Sequence, residues 1–227
     1  MKTISRLVTL ALVVSLSSCV TQKTTPISQA DAAKLKGATL AAADRDPPPF
    51  TAMTASKAAL GAFGIIGAAA SAAAMTSSGE KIVKENGVQD PADQISRELA
   101  QALASSRGVK VAASTGTKVT SDKVKEVAAA YPGSDYILDV RTFNWASVYF
   151  PTSWGHYRVV YHVRMRLIET KTGRIVAEGF HSRIPEKTST SPTLDQLLAN
   201  QAARLKQELQ LATTESVAHF KRNVLGL

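Results

Sequence analysis

The sequence predicts an α/β (α+β) fold: a single domain with a mixed, largely antiparallel sheet, helices covering one face, and a long C-terminal helix. Three patterns carry this. The stretch YRVVYHVRMRLIE alternates strictly, with Tyr157, Val159, Tyr161, Val163, Met165 and Leu167 on one face. Arg158, His162, Arg164 and Arg166 take the other face with Val160 and Ile168. Thr170-Lys171-Thr172-Gly173 marks a tight turn into RIVAEGF, its hairpin partner. Finally, DPADQISRELAQALASSRG spaces Ile95, Leu99 and Leu103 four apart between an Asp-Pro start and a glycine stop, the signature of an amphipathic helix.

The chain opens MKTISRLVTLALVVSLSSCV. Lys2 and Arg6 precede a short apolar run over residues 7–16, followed by small residues. This is the pattern of a secretory signal, and it is too short for an ordinary membrane span. Cys19 is the only cysteine, so no internal disulfide can form. Leu16-Ser17-Ser18-Cys19 resembles the bacterial lipobox, which implies an acylated Cys19 anchored in lipid. Val20 at the next position implies, by the sorting pattern of such lipoproteins, the outer membrane, facing the periplasm. One acyl chain anchors only marginally and several anchor stably. Removing residues 1–18 leaves 209 residues and lowers the formal charge from +9 to +7. A basic surface in that compartment suits anionic wall polymer or lipid head groups, or is simply solvated; nucleic acid is not an expected partner.

Residues 1–18 are thus read as a signal peptide and 19–36 as lipid anchor and tether. Residues 37–89 are read as a proline-rich segment with a Gly/Ala-rich helix, and 90–227 as the α/β periplasmic domain. GATLAAADRDPPPF contains a weak strand running into Pro47, Pro48 and Pro49, which favour extended geometry. Residues 57–75, KAALGAFGIIGAAASAAAM, lack charge after Lys57, but their bulk is alanine, glycine and serine, which do little to drive insertion. We read the run as a helix whose Gly61, Gly64 and Gly67 let another backbone approach, either in its own domain or in a neighbouring subunit. Residues 109–113 form a short strand. A short helix after Ser121-Asp122 turns Val124, Val127, Ala128 and Tyr131 inward. Tyr136, Leu138 and Val140 face one side of a further strand. Thr193 with Gln196 forms a capping box. Leu194, Leu198, Ala202, Leu205, Leu209, Ala212, Phe220 and Val224 trace the inner stripe of the last helix, with Thr213-Thr214 as its expected interruption.

No glycine-rich phosphate loop, HExxH, CxxC or GxSxG is present, and the four histidines show no metal-ligand spacing. No enzyme, cofactor or metal is expected. Two features are candidate binding sites. One is the basic sheet face, Arg158, Arg164 and Arg166, whose plain alternative is cross-strand pairing with Asp139 or Glu178. The other is the aromatic cluster FNWASVYFPTSWGHY. Seven of thirteen aromatics fall between 143 and 162. Tyr149, Phe150 and Trp154 flank Pro151 and Gly155 at a hairpin tip, where the core cannot take all of them.

The order strand, helix, strand, helix, meander, helix resembles a group of exported lipoprotein domains with an anticodon-binding-domain-like α/β fold. The resemblance spans residues 38–227 and rests on DPADQISRELAQALAS, SDYILDVRTFNW and LIETKTGRIVAEG. The group includes the curli secretion lipoprotein, the lipoprotein activators of penicillin-binding proteins and the N-terminal domain of the Tol translocation protein. It implies a binding or scaffold module for an envelope protein partner, with no catalytic residues to carry over. The alternative it implies is a homo-oligomeric ring subunit of a secretion apparatus. The 143–156 segment is too short to add a membrane-crossing strand pair beyond the sheet.

Overall fold

The computed structural model describes residues 24–54 and 64–227, with the side chains of residues 64–67 left aside. Cys19, Gly61 and the predicted signal peptide therefore lie outside the described residues. A six-stranded mixed sheet forms the frame. Its strands are β1 (Thr39–Ala42), β2 (Thr51–Ala52), β3 (Lys110–Val111), β4 (Tyr136–Phe150), β5 (Ser153–Glu169) and β6 (Arg174–Arg183). The main order is β3-β1-β4-β5-β6, with β2 paired to the far half of β4. β1 runs parallel to β3 and β4, whereas β4, β5 and β6 form an antiparallel meander. Gly173, at φ +63°, makes the turn between β5 and β6.

Among the described residues, five helices accompany the sheet: α1 (Gln29–Ala33), α2 (Gly64–Asn86), α3 (Pro91–Arg107), α4 (Val124–Ala129) and α5 (Leu194–Phe220), the last ending in a π-helical turn, Lys221–Leu225. The predicted faces hold. Ile95, Leu99 and Leu103 of α3 are buried with the alternating residues of β5 in one core beneath α3 and α5. A smaller core forms on the opposite face, where Val127, Ala128 and Tyr131 of α4 and its flank meet Ile137 and Ile168.

Four local features differ from expectation. Residues 24–36 are not a free tether. Thr25 and Glu178 exchange backbone hydrogen bonds (2.7 and 2.9 Å), and Leu35 is fully buried. Because β1 and β2 also belong to the sheet, the domain starts well before residue 90. The Gly/Ala-rich helix runs on through Ser77-Ser78-Gly79 to Asn86, and a Cβ on Gly79 would lie 1.8 Å from the Phe50 carbonyl oxygen, so glycine seats α2 against β2. The break in α5 is not at Thr213-Thr214, whose hydroxyls bond back to Leu209 and Gln210 carbonyls. It lies at residues 199–202, where Asn200, Gln201 and Ala202 take left-handed backbone angles. Leu197 before the break and Leu205 after it are both fully buried. Among the described residues, no helix is long and apolar enough to cross a membrane.

Candidate functional site

The meander leaves one part of the sheet extended. β5 continues over residues 153–160 past its pairing with β6, and only Pro151 and Thr152 separate the paired ends Phe150 and Ser153. A bulge at Phe143 fixes which side chains face out along this arm. Leu138 and Val140 enter the main core before it and Trp145 after it, so one extra residue reverses the alternation. Trp145 then packs edge-on against Phe50 (5.0 Å) and donates its indole N–H to the Pro48 carbonyl (2.7 Å), giving the proline run its place.

The aromatic expectation divides at the tip. Trp154 is 60% exposed, yet fixed: its indole N–H donates to the Pro151 carbonyl (2.7 Å) and its ring lies 5.7 Å from Tyr149, which is half-buried. Phe150 is a correction. It is only 5% exposed, with the Arg158 guanidinium 5.1 Å from its ring centre, so it is packing and not contact surface.

The basic face also requires correction. Arg166 is 3% exposed and bonded to the fully buried Asp139 (2.5 Å), which Arg45 holds from the other side. Arg166 also donates to the Asp122 carbonyl (3.1 Å). Arg164 pairs with Asp122 and approaches Glu178 (3.8 Å), and Arg141 pairs with Asp122 at 3.0 Å. Burial pushes the Asp139 carboxyl up, but the guanidiniums of Arg45 and Arg166 outweigh it and hold it below the usual range. Partial burial likewise raises Asp122, and Arg164, Arg166 and Arg141 bring it down to about 2. These cations are therefore committed to fixing the loop before α4 onto the sheet, and Arg166 cannot touch a partner. Of the three arginines, only Arg158 lies away from this network.

Two features escaped the sequence pattern. Arg45 and Asp122 lie in irregular segments far from the strands they meet, so no periodicity marks them. Phe143 is 41% exposed at its bulge, flanked by Arg141 (5.2 Å) and Arg164 (5.0 Å) and edge-on to Phe180 (6.1 Å). Its place in an aromatic cluster was visible, its outward turn was not. Of the small-residue positions, Gly64 and Gly67 lie in the first turn of α2. Residues 68–70, 72 and 73 of that helix are exposed, while Ile82 and Val83 pack on the core.

No family model matches the chain, and no curated protein matches it. Solved structures similar to it include a PelC dodecamer from Paraburkholderia phytofirmans, at 12% identity and TM-score 0.42, covering 89% of this chain and 95% of that one. The LpoB C-terminal domain from Salmonella enterica is similar at 11% identity and TM-score 0.32, covering 66% and 84%. The lipoprotein GNA1162 from Neisseria meningitidis is similar at 13% identity and TM-score 0.28, covering 80% and 99%. At these identities and scores none of them assigns a role to this chain.

Proposed function

We propose that the chain is a lipid-anchored protein of the outer membrane, facing the periplasm, that acts as a non-catalytic binding module and docks an envelope protein through the β4–β5 tip. The observation that carries this is Trp154, largely exposed but held in one orientation by Pro151 and Tyr149. A pre-ordered tryptophan loses little side-chain entropy on contact, and tryptophan, tyrosine and arginine dominate the energetic centres of interfaces. Acylated Cys19 would stand six residues before Thr25, which is fixed to β6. At about 3.5 Å per residue the anchor would hold Thr25 no more than ~20 Å from the lipid, while the tip stands roughly 40 Å along β5 from that attachment, at the far end of the hairpin.

The test is a photo-crosslinking residue placed at Thr152, exposed beside Trp154, in the intact envelope, with Lys110 as control position. Protein adducts from 152 and none from 110 are expected. Trp154→Ser should abolish binding of the captured partner without lowering the melting temperature, whereas Phe150→Ser should lower it. Loss of stability in Trp154→Ser would place that ring in the core and remove the reading.

A second reading, a self-assembling ring subunit, is favoured by α2. Residues 64–79 carry no charge, yet several of its alanines face outward. Light scattering on residues 20–227 separates the two: a monomer or dimer supports the binding module, and a discrete higher oligomer supports the ring.

A further inference from the structure

Asn200, Gln201 and Ala202 take φ angles of +52°, +57° and +56° in succession. Asparagine visits this left-handed region readily. Glutamine and alanine do not, because the Cβ crowds the following carbonyl. No glycine stands there to relieve the strain. The local sequence also prefers the opposite hand, since Ala199, Gln201, Ala202, Ala203 and Arg204 are all strong helix formers. Three successive left-handed residues persist only because the surrounding packing holds them. The apolar pattern, meanwhile, runs straight through the break. Leu194, Leu198, Ala202, Leu205, Leu209 and Ala212 would fall within about 80° of one another in an unbroken helix. Leu197 lies off that stripe, about 100° from its centre. The bent chain makes the other choice: Leu197 is fully buried, and Leu194 and Leu198 are half-buried against the core. One segment thus suits two arrangements, and the bent one sets backbone strain against a buried leucine.

We propose that residues 193–202 form a strained latch with a second state, in which α5 runs straight from Thr193, Leu197 leaves the core, and the loop over residues 184–192 releases the hairpin. The capping box between Thr193 and Gln196 satisfies the helix start in either state, so the first turn moves as a unit. The loop is tied to that motion. Pro192 adjoins the helix start and its carbonyl accepts the Tyr157 N–H (2.7 Å), while the Pro185 carbonyl accepts from Arg158 (3.3 Å). Tyr157 stands opposite Tyr149 on β4, and the Tyr149 ring lies 5.7 Å from Trp154. Release of the loop therefore reaches the ring proposed above as the contact. That consequence rests on the reading of Trp154 as a docking residue; the latch itself does not.

The test places opposite biases on one exposed side chain, Gln201, in the full chain in uncharged detergent. Gln201→Gly favours the left-handed turn and disfavours an unbroken helix. Gln201→Val does the reverse, since a β-branched residue fits poorly at positive φ. Nuclear magnetic relaxation dispersion of the Leu194, Leu197 and Leu198 methyls, the Tyr157 N–H and the Trp154 indole N–H reads exchange between the states. The unaltered chain should show one shared exchange process with a minor state of roughly 0.1–10%. Gln201→Gly should remove the exchange and keep or raise the melting temperature. Gln201→Val should raise the minor population about tenfold. No partner enters the measurement, so it stands or fails separately from crosslinking at the tip. A lower melting temperature for Gln201→Gly, as for glycine inside an ordinary helix, overturns the proposal. So does a Gln201→Val variant that is merely less stable, with no shared exchange there or in the unaltered chain. If Gln201→Val does not fold, Gln201→Gly decides alone: exchange that persists unchanged in it overturns the latch.

Discussion

At the scale of single residues, Asp90 shows how one side chain can serve folding and resist it. It caps α3 by accepting the Ala92 N–H (3.3 Å) and also accepts the Thr142 hydroxyl (2.6 Å), whose oxygen lies 2.9 Å from Tyr161 OH. Burial, against these hydrogen bonds and with Asp93 nearby, pushes its carboxyl up to about 6 from the ordinary 3.8. In that interval the folded chain keeps a proton that the unfolded chain has lost, so this group's contribution to stability falls as pH rises from about 4 to about 6. Asparagine caps as well as aspartate and cannot ionise. Asp90→Asn should therefore gain on the unaltered protein through that interval, by on the order of 1–3 kcal/mol, and hold the gain above it. Paired melting curves across the pH range check this. A difference independent of pH would mean that the carboxyl titrates normally.

At the scale of elements, the seating of α2 depends on a glycine whose role the sequence disguised. Alanine at position 79 should favour an isolated helix by about 1 kcal/mol. Here its Cβ would meet backbone atoms of Phe50 and Thr51, which cannot rotate away. Gly79→Ala should instead lower stability by roughly 1–3 kcal/mol, the usual range for overpacking, as read by chemical denaturation. A stabilised variant would mean that α2 does not rest on β2. The same contrast explains what could be read in advance. α3, the β5 alternation, the turn at Gly173 and the Thr193–Gln196 capping box were legible because each is specified by neighbours within a few residues. The two-residue β2, the bulge at Phe143 and the break at 199–202 were not, because distant packing decides them. The site divides in the same way. An exposed Trp154 follows from Pro151 and Gly155 beside an aromatic run. The burial of Arg166 depends on Arg45 and Asp122, which approach it through tertiary structure alone.

At the scale of the molecule, the N-terminal strap binds the fold together across its sheet. Ile27 donates its N–H to the Val224 carbonyl (2.8 Å), Thr25 pairs with β6, and Leu35 fills the main core. Asp31 is held well below the usual carboxylate range, first by the hydrogen bond from Arg174 (2.7 Å), against some burial. The first described residues are thus joined to the last strand and to the C-terminal turn, which closes the chain into one unit. Leu35→Ala should cost about 2–5 kcal/mol, as core leucines do, against a total of about 5–15 for a domain. Arg174→Gln, at a more exposed pair, should cost under about 1 kcal/mol. If instead the strap were a detachable tether, Leu35→Ala would leave the denaturation midpoint unchanged and protease would remove residues 24–36 from an otherwise folded domain. Cooperative loss of the whole domain on Leu35→Ala would show that any anchor at Cys19 is tied directly into the core, so that a pull from the membrane is borne by β6 and the C-terminal turn before it reaches the hairpin tip.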